Sequence, residues 1–210
     1  MSEDGDWVAA EDAPTRLILD LSENFDPNLL SLIDSGSVAA VTASPASDHI
    51  EALSAHCVRS GVALIARIGS TTDAQLDPSF NGCALTGPAS TKAWRQRQGS
   101  DFIIGTNVGT SRHDAVVAGE AGADYVVFGG MAGDDQSEDT ELMVELCQWW
   151  GDLMVLPCAV AGAPTAAGAR RLALAGADFI IIGDTAWQAG TSPQEVLEAH
   201  RQAISNIRRE

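Results

Sequence analysis

Three segments of the chain follow one plan: GSDFIIGTN (99–107), GADYVVFGG (122–130) and GADFIIIGD (176–184). Each opens on a glycine suited to closing a helix, passes through a small residue and an aspartate into an apolar run, and stops at a second glycine. The aspartates Asp101, Asp124 and Asp178 lie 23 and 54 residues apart, close to one and two periods of about 25 residues. Such a repeat, with strand-like and helix-like stretches alternating, describes serial βα units.

Extending the pattern gives eight strand candidates: 16–21, 38–43, 63–69, 82–87, 102–107, 125–130, 153–160 and 179–184. They are near-continuous apolar runs, as expected of parallel strands buried on both faces. Amphipathic stretches lie between them, among them 49–61, 139–151 and 165–176, the last closing at Gly176. Residues 192–209 read as a closing helix with Ser192 as N-cap, Pro193 at the first position and Glu195 at the third. Eight such units in one domain predict a compact (β/α)₈ TIM barrel of class α/β over residues 16–210. A doubly wound open sheet is the rival, and no glycine-rich dinucleotide fingerprint follows the first strand to support it.

Residues 1–15 read as an acidic, flexible leader, with five acids and no base before Arg16. The whole chain carries 29 acidic and 12 basic residues, a net charge of −17, and a single lysine, Lys92. Nucleic acid and anionic membrane need clustered Lys and Arg, so this balance excludes both as partners. With no signal pattern and no long apolar run, the expected location is the cytoplasm. The cysteines Cys57, Cys83, Cys147 and Cys158 show no metal-ligand or redox spacing and are expected to be buried, reduced thiols. Trp149 and Trp150 read as exposed and allow a homodimer interface.

In such a barrel the chemistry sits where the strands end. That places Asp20, Ser44, Asp48, His49, Thr86, Thr106, Ser111, Arg112 and His113 among the candidates, with Arg67 and Asn107 the pocket candidates. Gly162 after strand seven and Gly183 after strand eight would let backbone amides approach an anion. Asp184 opposes that, because a carboxylate near a phosphate is repelled unless a cation intervenes. Five acids lie between Asp134 and Glu141. They read as a solvated loop and helix start, not a metal site, since no calcium-loop spacing is present. No nucleophile triad is found, so the catalytic residues are unknown.

The stretches DFIIGTNVGTSRHDAVVAGEAGADYVVFGG and PCAVAGAPTAAGARRLALAGADFIIIGDTAW resemble the thiamine phosphate synthase family and its thiazole tautomerase relatives. The resemblance implies a (β/α)₈ barrel that couples hydroxymethylpyrimidine pyrophosphate to thiazole phosphate with Mg²⁺, releasing pyrophosphate. It also implies a phosphorylated thiazole or pyrimidine ligand held by Gly130, Ala161, Gly162, Gly183 and Asp184.

The chain is a divergent member by this reading. The family's Gln-Leu-Arg-x-Lys is VTASPAS here, and its Asn-Asp-Arg leaves only Arg67. Its metal-binding aspartate after strand four falls on Ala89, and its Ser-x-His is echoed by Asn107. Its Gly-Pro is Gly129-Gly130, its Ile-Gly-Gly is Val160-Ala161-Gly162, and its Val-Ser is Gly183-Asp184. Mg²⁺ is expected only if the family activity is retained; the alternative is a non-catalytic small-ligand-binding or regulatory relative.

Overall fold

Strands with no polar alternate have no face to show to water, so they must be covered on both sides. In the computed structural model they are β1 (Arg16–Asp20), β2 (Val38–Ala43), β3 (Ala63–Gly69), β4 (Gly82–Thr86), β5 (Ile103–Gly109), β6 (Tyr125–Phe128), β7 (Cys158–Val160) and β8 (Phe179–Ile182). Each pairs in parallel with the next, and β8 returns to β1, so the sheet closes into the expected barrel. The structure describes residues 14–21, 25, 27–34, 36–130, 140–161, 163, 165–183, 186, 192–205 and 207. The acidic leader therefore lies outside the described residues, apart from Pro14 and Thr15.

Around the strands stand α1 (Ile50–Ser60), α2 (Pro88–Arg97), α3 (Arg112–Glu120), α4 (Thr140–Leu153), α5 (Ala166–Leu174) and α6 (Pro193–Ile204). The signals at the start of α6 act as the sequence predicts. Ser192 accepts from the Glu195 amide and the Glu195 carboxylate accepts from the Ser192 amide, a complete capping box. Gly176 follows α5 with φ +102°, a backbone state that only glycine adopts at little cost.

Two connections depart from eight equal units. Between β1 and β2 the described helical segment is a 3-10 turn, Pro27–Leu32. Between β3 and β4 residues 70–81 form no helix. This segment is rich in Ser, Thr and Asp, which bind their own backbone; the Asp77 carboxylate accepts from the Ser79 amide at 2.9 Å. One face of α2 fastens it instead. The Ser90 hydroxyl donates to the Ser70 carbonyl (3.2 Å), the Trp94 indole to Thr71 (2.7 Å) and the Arg97 guanidinium to Thr72.

Two further expectations are corrected. The strand expected at 153–160 shrinks to Cys158–Val160, because Leu153 is the last residue of α4. An apolar run does not distinguish a helix end from a strand. Trp150, expected on the surface, is buried, with its indole N–H donating to the Leu156 carbonyl at 2.6 Å and its ring edge-on to Phe128. Trp149 is half-buried beneath the Arg112 guanidinium. The exposed tryptophan pair offered as a dimer surface is therefore not present.

Strand pairing also sets the interior. With the tilt of this barrel class, inward side chains stack in layers of four from alternate strands. Even strands give a lower layer of Ala40, Gly82, Tyr125 and Phe179, above which odd strands place Ile18, Ile65, Gly105 and Ala159. A Cβ on Gly105 would overlap the Tyr125 ring, so glycine is the space the phenol fills. Thr42, Ala84, Val127 and Ile181 follow, and odd strands then supply the top layer: Asp20, Arg67, Asn107 and Ala161.

At the opposite end, residues just before even strands hold the preceding strand by two bonds. The Asn81, Asp124 and Asp178 side chains accept from the amides of Leu64 (2.8 Å), Ile104 (2.7 Å) and Cys158 (2.9 Å). Their own amides donate back to the carbonyls of those residues. The aspartates of the second and third repeats are thus strand clamps. Asp101 is not, because it stands two residues before β5 and pairs with Ser100.

Candidate functional site

The top layer is where the interior turns from apolar to polar. Alternation from Ile18 and Ile65 aims Asp20 and Arg67 inward, and β2 sets Thr42 just beneath them. The Asp20 carboxylate is 1 % exposed, and a charge so buried must be paired. The Arg67 guanidinium forms an ion pair with Asp20 Oδ1 through Nη1, and its Nη2 donates to the Leu21 carbonyl at 3.2 Å. The Thr42 hydroxyl donates to the same Oδ1 at 2.5 Å. Three strand ends are thereby tied into one polar cluster. Arg67 keeps 18 % of its side chain exposed, so the pair sits at the boundary of the barrel interior.

Asn107 continues the polar arc on β5. It is 6 % exposed, and its Oδ1 accepts from the Gly109 amide at 3.0 Å, bracing the strand end. Thr86 on β4 faces the same side and is exposed. The other half of the mouth, from β6 to β8, offers Gly129, Ala161 and Gly183. Among the described residues, one wall therefore presents side-chain donors and acceptors, and the other presents little beyond backbone.

The two glycines of the bare wall are not equivalent. Gly129 has φ +82°, and a Cβ there would lie 2.7 Å from the Ala161 carbonyl oxygen, so the fold itself requires glycine. At Gly183 a Cβ would meet Asp20 only at 3.7 Å, an ordinary contact, and φ is not positive. Among the described residues, no packing contact demands a glycine at Gly183.

Of the residues expected to bind ligand, Ala161 and Gly183 stand at the mouth, and Gly130 is buried directly after Gly129. Gly162 and Asp184 lie outside the described residues, as do Asp134, Asp135, Glu138 and Asp139. Thr106 faces outward, sharing a hydrogen bond of 2.7 Å with Thr91 on α2. Ser111 caps α3, accepting from the Asp114 amide, and His113 in its first turn is exposed. His49 precedes α1 with its ring edge-on to Phe25. Sequence reasoning missed Thr42; the signal was a lone hydroxyl near the end of the apolar run VAAVTA.

The model of the thiamine monophosphate synthase family matches residues 40–185, most of the chain. The chain belongs to this family. Its relatives include the thiamine-phosphate synthase of Erythrobacter litoralis, 38 % identical over 101 residues, 47 % of each chain. That of Hyphomonas neptunium is 35 % identical over 117 residues, covering 55 % of this chain and 53 % of the relative. The chain thus spans about half the length of the curated relatives it matches. Among solved structures, the thiamine phosphate pyrophosphorylase of Pyrococcus furiosus superposes with a TM-score of 0.70, at 18 % identity, over 90 % of this chain and 95 % of its own. The 3-hexulose-6-phosphate synthase of Salmonella typhimurium gives 0.67 at 14 % identity, over 91 % of this chain and 99 % of its own. At such identities these two likenesses show the fold alone.

The Mg²⁺ that the thiamine monophosphate synthase family implies finds no fitting donor set among the described residues. They contain no group of three or more His, Cys, Asp or Glu able to hold a metal. Asp20, the described carboxylate of the top layer, is engaged by a guanidinium and a hydroxyl. Likewise, no described helix of this family member is long and apolar enough to cross a membrane.

Proposed function

We propose that this chain is a small-ligand-binding member of the thiamine monophosphate synthase family that does not perform the pyrophosphate-releasing coupling. The observation that carries the reading is the ion pair between Arg67 and buried Asp20. Releasing pyrophosphate needs concentrated positive charge on the leaving group. The top layer's one cation is offset by a carboxylate in direct contact. The polar arc and the backbone-lined wall together suit a heterocycle of the thiazole or pyrimidine phosphate class.

The test incubates purified protein with hydroxymethylpyrimidine pyrophosphate, thiazole phosphate and Mg²⁺, and measures thiamine phosphate. No turnover is expected, with thiazole phosphate binding detectable by calorimetry. Thiamine phosphate formation at an ordinary enzymatic rate overturns the reading. It would favour the second one, a working synthase, which the family match over residues 40–185 supports.

A further inference from the structure

We infer that Asp20 is a specificity-determining residue that holds Arg67 out of use as an anion receptor and sets the mouth against diphosphates. This rests on the binding role proposed above, but it is read with inorganic pyrophosphate alone and can fail while the turnover result stands.

Three observations converge on Asp20. Its carboxylate is buried, so its charge is little screened by solvent and acts strongly on a guanidinium in contact. Arg67 is oriented twice, by Asp20 Oδ1 through Nη1 and by the Leu21 carbonyl through Nη2, so two of its donors are already engaged by the end of β1. Thr42 fixes the carboxylate in turn, and the three strand ends hold one another in place. A diphosphate entering this mouth meets a pair whose charges cancel, and it must displace a preformed ion pair to recruit Arg67. A ligand of lower charge than a diphosphate loses less by the same arrangement.

Asp20 also accounts for the neighbouring wall. Among the described residues beyond its chain neighbours, it stands nearest to the space beside Gly183, where a Cβ would lie 3.7 Å from the Asp20 Cβ and 3.9 Å from Oδ2. An anion seated against the Gly183 backbone would therefore approach this carboxylate. The same residue that occupies the cation raises the cost of placing phosphate on the bare wall.

Asp20→Asn keeps the shape of the side chain and an acceptor for Thr42 while removing the charge. Calorimetry with inorganic pyrophosphate, without metal, should give wild-type binding weaker than about 1 mM. The variant should bind at least about tenfold tighter, a change near 1.4 kcal/mol. Asp20→Ser, smaller and also uncharged, should show a gain of the same sign. Asp20→Asn/Arg67→Gln should lose the gain, which a general loosening of the mouth would not do. Wild-type binding tighter than about 1 mM overturns the inference. So does unchanged or weaker binding in a folded Asp20 variant, or a gain that persists without Arg67.

Discussion

A thiol packed among hydrocarbon gives up its proton reluctantly, and two cysteines make this measurable. Burial pushes Cys57 up to about 11 and Cys83 up to about 12, from an ordinary 9.0. Above pH 9 the unfolded chain releases these protons while the folded chain keeps them. Stability is therefore complete below pH 9 and is lost as pH rises through 11 to 12. Few other side chains intrude in that window, because the chain has one lysine and one tyrosine. Burial raises Tyr125 as well, in the same sense. Urea midpoints should fall between pH 8.5 and 10.5, and the fall should be shallower in Cys83→Ala; a flat profile contradicts the burial argument. At pH 8 all four thiols, each buried and free, should resist Ellman's reagent until denaturant is added. The glycines of the mouth give a second pair of outcomes. Gly129→Ala should destabilise by roughly 2 kcal/mol or more, since the new Cβ meets a carbonyl at positive φ. Gly183→Ala should unfold within about 0.5 kcal/mol of the parent, and its effect should appear in thiazole phosphate binding measured by calorimetry.

At the scale of elements, the clamps before β4, β6 and β8 fix the register that aligns the layers. Asn81→Ala leaves the Leu64 amide without its acceptor and should cost about 1–3 kcal/mol in chemical denaturation. The last helix is fastened at both sides. The buried His200 ring lies between the carbonyls of Val196 (2.7 Å) and Ala163 (3.2 Å), while Arg201 reaches the Leu32 carbonyl and pairs with Asp34. His200→Leu should release α6 from the connection after β7, read as faster amide exchange in 193–204 with the far strands unchanged. Much of this was legible in sequence. The strands β2 and β3 stand on the boundaries their apolar runs suggest, and the α6 capping signals function as written. The helix-free β3–β4 connection was not legible from a count of repeats. Strand spacing survives there while the intervening segment has traded amphipathic pattern for turn-forming residues. The clamp role of Asp124 and Asp178 was hidden as well, because a repeat marks a shared position without saying what it touches.

For the whole molecule, a net charge of −17 means that folding compacts mutually repelling carboxylates. Thermal midpoints should rise by about 2–4 °C between 20 and 500 mM NaCl, equivalent to about 1 kcal/mol at this size; a salt-independent melt would show the charge to be evenly compensated. The candidate site was legible as an address more than as a chemistry. Arg67 was visible as a cation at a strand end, but its partner lies 47 residues away on β1 and is brought to it across β2 by the pairing of the first three strands. The layering carries one more consequence. Odd strands alone furnish the top layer (Asp20, Arg67, Asn107 and Ala161), whereas the clamps at the opposite end belong to the segments entering even strands. Recognition and scaffold are thus written on interleaved and separate sets of positions. A combinatorial library restricted to residues 20, 67, 107 and 161 would sample new ligand preferences while leaving every clamp untouched, which makes this barrel a natural frame for recoding a binding site one layer at a time.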